Sequence, residues 1–96
     1  MKKFLFIYNA SPAQGTDSME EWMAWFGSIG QHLVDVGNPI VGGVLVKGTE
    51  SSDLTSFSDL VGGYSLVNAN DIGEAVALAN SCPNAAGVRI FETQPM

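Results

Sequence analysis

The first strand of this chain has no polar side. From Lys3 to Tyr8 the residues run Lys-Phe-Leu-Phe-Ile-Tyr, aromatic and branched side chains that favour extended backbone. Successive side chains of a strand point to opposite faces. Phe4, Phe6 and Tyr8 would line one face, Leu5 and Ile7 the other, and a strand that is apolar on both faces has to be covered twice. The covering must come from little material, because 96 residues support one domain with one core. Apolar residues make up 46% of the chain and charged residues 15%, against about 25% charged in ordinary soluble domains. That balance excludes a disordered chain and reads as surface that is not exposed to water.

The pattern beyond the first strand, residues 2–9, supplies two helices and three further strands. Ser11-Pro12-Ala13-Gln14-Gly15 marks a loop. A helix is expected to open near Asp17 or Ser18, where Ser18 and Glu21 have capping-box spacing. Met19, Trp22, Met23, Phe26, Ile29 and Leu33 recur along it at helical spacing, Trp25 and Val36 widen the stripe, and Gly37-Asn38-Pro39 stops it. Residues 40–47 read as the second strand, with Gly42-Gly43 as a bulge, and residues 48–60 as a polar, Ser-rich surface excursion. Residues 61–69 read as the third strand. Asp71 and Glu74 again have cap spacing and open a second helix with Ile72, Ala75, Val76, Ala79 and Cys82 on its face, ended by Pro83-Asn84. Residues 87–93 form the last strand.

This order, βαββαβ, predicts a single α+β domain over residues 1–96 of ferredoxin-like type: a four-stranded antiparallel sheet with both helices on one face. No third helix is left for the other face. A second copy would cover it, sheet against sheet, and a two-fold dimer is the commonest such solution. The expectation is a dimeric α/β barrel.

Charge narrows the partners. Lys2, Lys3, Lys47 and Arg89 face ten acidic residues, for a net charge of −6, so neither nucleic acid nor an anionic membrane surface is expected. No apolar run approaches the roughly 20 residues of a membrane span. Lys2-Lys3 and the apolar residues after them imitate a signal peptide, but Asn9 ends the run early, and the expected location is cytoplasmic. Cys82 is the one cysteine, which excludes an intrachain disulfide and a cysteine-based metal site. Gly62-Gly63 precedes a strand rather than opening a helix and no Lys follows, so it is not a phosphate loop. No cofactor is implied.

Several segments resemble the YCII-related family, also called the DGPF-domain family: Trp22-Met23-Ala24-Trp25-Phe26, Leu33-Val34-Asp35 with Gly37-Asn38-Pro39, Gly62-Gly63-Tyr64-Ser65-Leu66-Val67, Asp71-Ile72-Gly73-Glu74-Ala75, Ser81-Cys82-Pro83 and Phe91-Glu92-Thr93. The resemblance spans nearly the whole chain and implies the same ferredoxin-like fold and sheet-joined dimer. Some relatives are dehalogenase- or isomerase-like, and many have a His in the first helix as a proposed acid/base. That position falls near Glu20 to Trp22 here, so no His carries over. The Asp-Gly-Pro-Phe motif is also missing; residues 48–60 hold Thr55-Ser56-Phe57-Ser58-Asp59 instead.

Few side chains are candidates for chemistry. His32 is the sole histidine, the side chain that titrates nearest neutrality, and Asp35 would be its helix neighbour three residues on. These two are the catalytic candidates, with Glu21 as an alternative to Asp35, set against the commoner reading of a boundary histidine near a helix C-terminus. Arg89, the only arginine, sits in a strand and would clamp a carboxylate or else bridge to Glu92 or another acid across the dimer. Tyr8 and Tyr64 would put hydroxyls on an apolar wall, against the plainer role of core tyrosines. Trp22 and Trp25 read as core rather than as a stacking platform. Two functions follow: a small-molecule domain holding an organic acid or aromatic ligand by Tyr8, Tyr64 and Arg89 in a cleft beside the sheet, or a non-catalytic accessory dimer that binds a protein partner.

Overall fold

A computed structural model describes residues 1–9, 19–54, 61–84 and 86–96. Strand β1 (Lys2–Asn9) lies at the centre of a four-stranded sheet, flanked by β5 (Val61–Ala69) and β6 (Val88–Glu92), and the short β2 (Leu33–Asp35) pairs with the outer side of β5. The strand order is β2-β5-β1-β6, with every neighbouring pair antiparallel. Two strand–helix–strand units interleave to give this order, as the expected α+β arrangement requires. Helices α1 (Met19–Ser28) and α2 (Ile72–Ala79) are the connections. No helix among the described residues is long and apolar enough to cross a membrane.

Alternation along the central pair separates the two faces. Phe4, Phe6 and Tyr8 are buried opposite Val67, Ser65 and Gly63, and they form one core with Trp25 and Ile29 from the α1 side and Ala75 from α2. The two helices are also tied to each other, because the Trp25 indole N–H donates to the carbonyl of Leu78 at 3.1 Å. Leu78 lies in the last turn of α2, where a carbonyl has no partner within its own helix. On the opposite face Leu5 and Ile7 alternate with these residues and stand beside Leu66 and Tyr64 of β5 and beside Phe91 and Arg89 of β6. No described helix covers that side. The shortest dimension of the molecule, 19 Å, is about the depth of one sheet and one helix layer.

The largest departure from the sequence reading is at the end of the first helix. Helix α1 stops at Ser28, a 3₁₀ turn spans Gly30–His32, and Leu33 already belongs to β2. The Ser28 hydroxyl donates to the Trp25 carbonyl at 2.7 Å, a local bond that competes with helix propagation, and glycines at 27 and 30 add poor helix formers on either side. Leu33 fits a helical stripe only because it follows Ile29 by four residues; the turn leaves it packed on the core all the same. Met19 and Met23 are exposed and Trp25 is the buried centre of the helix, so the true stripe is Trp22, Trp25, Phe26 and Ile29. Ser18, the expected cap, lies outside the described residues.

The segment at residues 40–47 likewise does not supply the second strand of the main sheet, whose place β2 takes. Its last four residues, Val44–Lys47 (β3), do form a strand, but one that pairs with Glu50–Asp53 (β4), inside the segment read as a polar excursion, as a separate two-stranded hairpin; residues 55–60 lie outside the description. Gly42-Gly43 precedes this hairpin, and the bulge in the sheet falls at Gly62, where Tyr8 pairs with Gly63 and Asn9 with Val61. In α2 the expected cap forms: the Asp71 carboxylate accepts from the Glu74 N–H at 2.8 Å, and the Glu74 carboxylate accepts from the Asn70 N–H. Its core face is Ala75, Leu78, Ala79 and Cys82, while Ile72 and Val76 are exposed.

Gly37 turns the chain out of β2 with φ of 77°, and a β-carbon there would stand 1.8 Å from the carbonyl oxygen of Tyr64. Gly37→Ala is expected to cost about 2 kcal/mol or more, since left-handed backbone alone costs a non-glycine residue about 1–2 kcal/mol. Gly27→Ala, in helix α1 with nothing near its β-carbon, should instead gain up to about 1 kcal/mol. Urea unfolding followed by tryptophan emission measures both.

Candidate functional site

The candidate residues fall on different faces of the sheet. Tyr8 is 5% exposed and points into the core, with its ring edge-on to Trp22 and Trp25 at centroid distances of 5.1 and 5.9 Å. Its hydroxyl donates to the Ser65 hydroxyl at 2.8 Å, which donates in turn to the carbonyl of Val36 at 2.6 Å. This chain of bonds satisfies every polar group in it. Burial pushes the Tyr8 phenol up to about 12; the Ser65 hydroxyl partly offsets the shift and nearby Cys82 adds to it. Tyr8 therefore serves the core, and Ser65, which the sequence reading passed over, is its partner. The signal was present: a serine at a helix-facing position between Gly63 and Val67 has to bond something when buried.

Tyr64 and Arg89 lie on the opposite, open face. Ile7 pairs with Tyr64 on one side and with Arg89 on the other, so the three form one row across the sheet, and Leu66, Leu5 and Phe91 form the next. Phe91 is 50% exposed. Arg89 is held by Asn9, which the sequence marks only as the end of the first apolar run: its Nε–H donates to the side-chain oxygen of Asn9 at 2.6 Å. Asn9 is itself fixed, donating to the Ala86 carbonyl while its own carbonyl accepts from Asn84. The remaining donors of the guanidinium meet no carboxylate among the described residues. Glu92, one of the acids expected to bridge to it across a dimer, pairs within its own chain with Lys2 at 3.4 Å. The Tyr64 hydroxyl accepts a long bond from Asn38 at 3.3 Å.

The catalytic candidates do not form the expected helical pair. His32 lies in the 3₁₀ turn and Asp35 in β2. His32 Nδ1 is 3.1 Å from the carbonyl oxygen of Asn68; a carbonyl only accepts, so Nδ1 carries the proton. Asp35 accepts from the Gly37 N–H at 2.8 Å, a turn-forming bond. Each is thus occupied with backbone. Asn68 is four residues from Tyr64 along β5, about 13 Å, so His32 stands at the other end of the sheet from the Tyr64–Arg89 row. Glu21 is on α1, on the helix side of the sheet. Among the described residues no group of three or more His, Cys, Asp or Glu could hold a metal ion.

Set against known proteins, the chain matches no family model and no curated protein.

The Tyr8–Ser65–Val36 chain gives two measurable consequences. Ser65→Ala leaves the Tyr8 hydroxyl and the Val36 carbonyl unpaired and should cost about 1–3 kcal/mol. Adding Tyr8→Phe should cost less than its own single effect, because the stranded donor is then gone. The folded chain keeps Tyr8 protonated up to about pH 12, whereas an unfolded phenol ionises from pH 10.0. Between these values the unfolded state holds fewer protons, so Tyr8's contribution to stability is complete below pH 10 and lost as pH rises towards 12. Urea midpoints from pH 9 to 11 should fall more steeply for the wild type than for Tyr8→Phe.

Proposed function

We propose that the chain is a YCII-like protein that works as a homodimer, joined sheet to sheet, and binds a small organic acid or aromatic ligand in a cleft beside the sheet. The observation that carries this reading is Arg89: a guanidinium on the open sheet face, oriented by Asn9 and without a carboxylate partner among the described residues. An arginine placed this way suits a planar carboxylate, which accepts two of its donors at once. Ile7 and the exposed ring of Phe91 supply apolar wall beside it, and the Tyr64 hydroxyl supplies a polar handle beyond Ile7. A greasy surface with a few fixed polar groups is the usual make-up of a small-molecule site. The half-buried Leu5 and Ile7 support the second copy, since an uncovered apolar face invites a partner.

The reading is binding without an assigned reaction. His32 and Asp35 stay outside it because both are bonded to backbone and His32 stands away from the arginine. Tyr8 also stays outside, buried beneath the helices.

Light scattering at tens of micromolar should give twice the chain mass of 10.1 kDa; a species of 10.1 kDa would refute the dimer. Calorimetric titration with benzoate should show binding that Arg89→Gln weakens about tenfold or more, the worth of a hydrogen bond to a charged group. Equal affinity in the two proteins would refute the arginine's role.

A further inference from the structure

The β3–β4 hairpin is built as a contact surface but packs extensively on no other described element of its own chain. Its extensive contacts are between its own two strands, and every residue of both strands is exposed. Val44, Leu45 and Val46 are among them, Val46 at 67%. A lone two-stranded hairpin is marginal in water, and exposed valine and leucine on it add an apolar surface that an isolated domain has no use for.

The pairing register sorts its side chains. Val44 stands opposite Asp53 and Val46 opposite Ser51, whereas Leu45 stands opposite Ser52 and Lys47 opposite Glu50. One face therefore carries two valines and an acid without a base; on the other face Lys47 stands beside the acid. The first face has a chemical complement on this same chain. The open side of the central sheet carries Leu5, Ile7 and Phe91, with Lys3 and Arg89 at its rim; the acid in those rows, Asp35 at the β2 edge opposite Leu66, accepts from the Gly37 N–H.

Size argues in the same direction. Four strands about 4.8 Å apart, sharing about five residues of register, offer roughly 300 Å² in projection. A stable interface takes about 800 Å² of accessible surface from each partner, so apolar surface beyond the sheet would add to the contact. Residues 38–40 show where the extra surface starts: Pro39 bridges to Gly63, and the Ile40 N–H donates to the Gly62 carbonyl at 3.0 Å. The chain leaves the β5 edge from there, at the end of the sheet that holds Tyr64 and Asn9.

We infer that the β3–β4 hairpin is a clasp that docks its Val44–Val46–Asp53 face on the open sheet of a second copy of this chain, Asp53 meeting Lys3 at the rim and leaving Arg89 to the ligand. The inference rests on the sheet-joined dimer of the preceding subsection and adds the element that completes its interface. Two-fold symmetry makes each hairpin both given and received, so every substitution counts twice.

The test compares two hairpin variants by sedimentation across protein concentration. Val44→Ser/Val46→Ser should weaken dimerisation about a hundredfold or more, while Leu45→Ser, on the opposite face, should leave it within about threefold. Far-ultraviolet dichroism and tryptophan emission, which report the distant core, should be unchanged in both. Hydrogen exchange of the wild type gives an independent reading: amides of residues 44–53 should be protected at high concentration and lose protection on dilution. A wild-type dimer whose dissociation constant is the same in Val44→Ser/Val46→Ser, or whose hairpin amides exchange independently of concentration, overturns the clasp and leaves the sheet-joined dimer standing. A wild-type monomer overturns both.

Discussion

A sheet with apolar side chains on both faces needs two covers, and the described helices make one. This imbalance organises the molecule. Phe4 and Phe6 on β1 are sealed by Trp25, Ile29 and Ala75, so the helix side is settled within the chain, down to an indole that bonds the last turn of the other helix. Leu5, Ile7, Leu66 and Phe91 have the same chemistry without the same cover. Apolar area left in water costs about 25 cal/mol per Å² relative to burial. Selection for solubility alone would have replaced such residues with polar ones, as one-sided antiparallel sheets do.

The same division decides what each polar group can do. Tyr8 and Tyr64 are both strand tyrosines with apolar neighbours, and their difference is the face they are on. Tyr8 spends its hydroxyl on Ser65, which donates in turn to the Val36 carbonyl and pins the exit from β2 to the middle of the sheet. Arg89 and Tyr64, a row apart from that network and on the other side, keep bonding capacity for something from outside. Asn9 connects the two roles: it ends β1, fastens Asn84, Ala86 and Gly87 to the sheet, and aims Arg89.

Much of the fold was legible in the sequence, for a physical reason that also explains the misreadings. Strands β1, β5 and β6 and helix α2 came through because each is marked twice, by a period in its apolar residues and by a boundary signal such as Asp71 with Glu74. Helix α1 ran too long because Leu33 lies at a helical interval from Ile29, while the evidence against it, Gly27-Ser28-Ile29-Gly30, is a matter of weak propensities that periodicity outvotes. Once α1 ended early, the second strand moved from residues 40–47 back to 33–35, and the released segment became the hairpin. The site suffered most. The His32–Asp35 pair existed only on a helix, and the Tyr8–Tyr64–Arg89 group only if alternation was ignored. Asn9 and Ser65 could not be found by spacing, since their partners are 80 and 57 residues away in the chain.

Covering the open face also bears on how a ligand could enter. If two sheets closed flat on one another along their whole length, the Tyr64–Ile7–Arg89 row would be buried with Arg89's charge inside, a costly state without a matched carboxylate. The row lies towards the end of β1 where Asn9, the bulge at Gly62 and the departure of the chain at Ile40 interrupt regular pairing. An irregular end cannot pack as closely as the regular middle formed by Leu5, Leu66 and Phe91. Arg89 is thus placed where a dimer would leave a mouth rather than a seam, and an exposed guanidinium there is stable with or without an anion. In the proposed dimer, the bulge that breaks the ladder is the feature that would let one surface serve both association and binding.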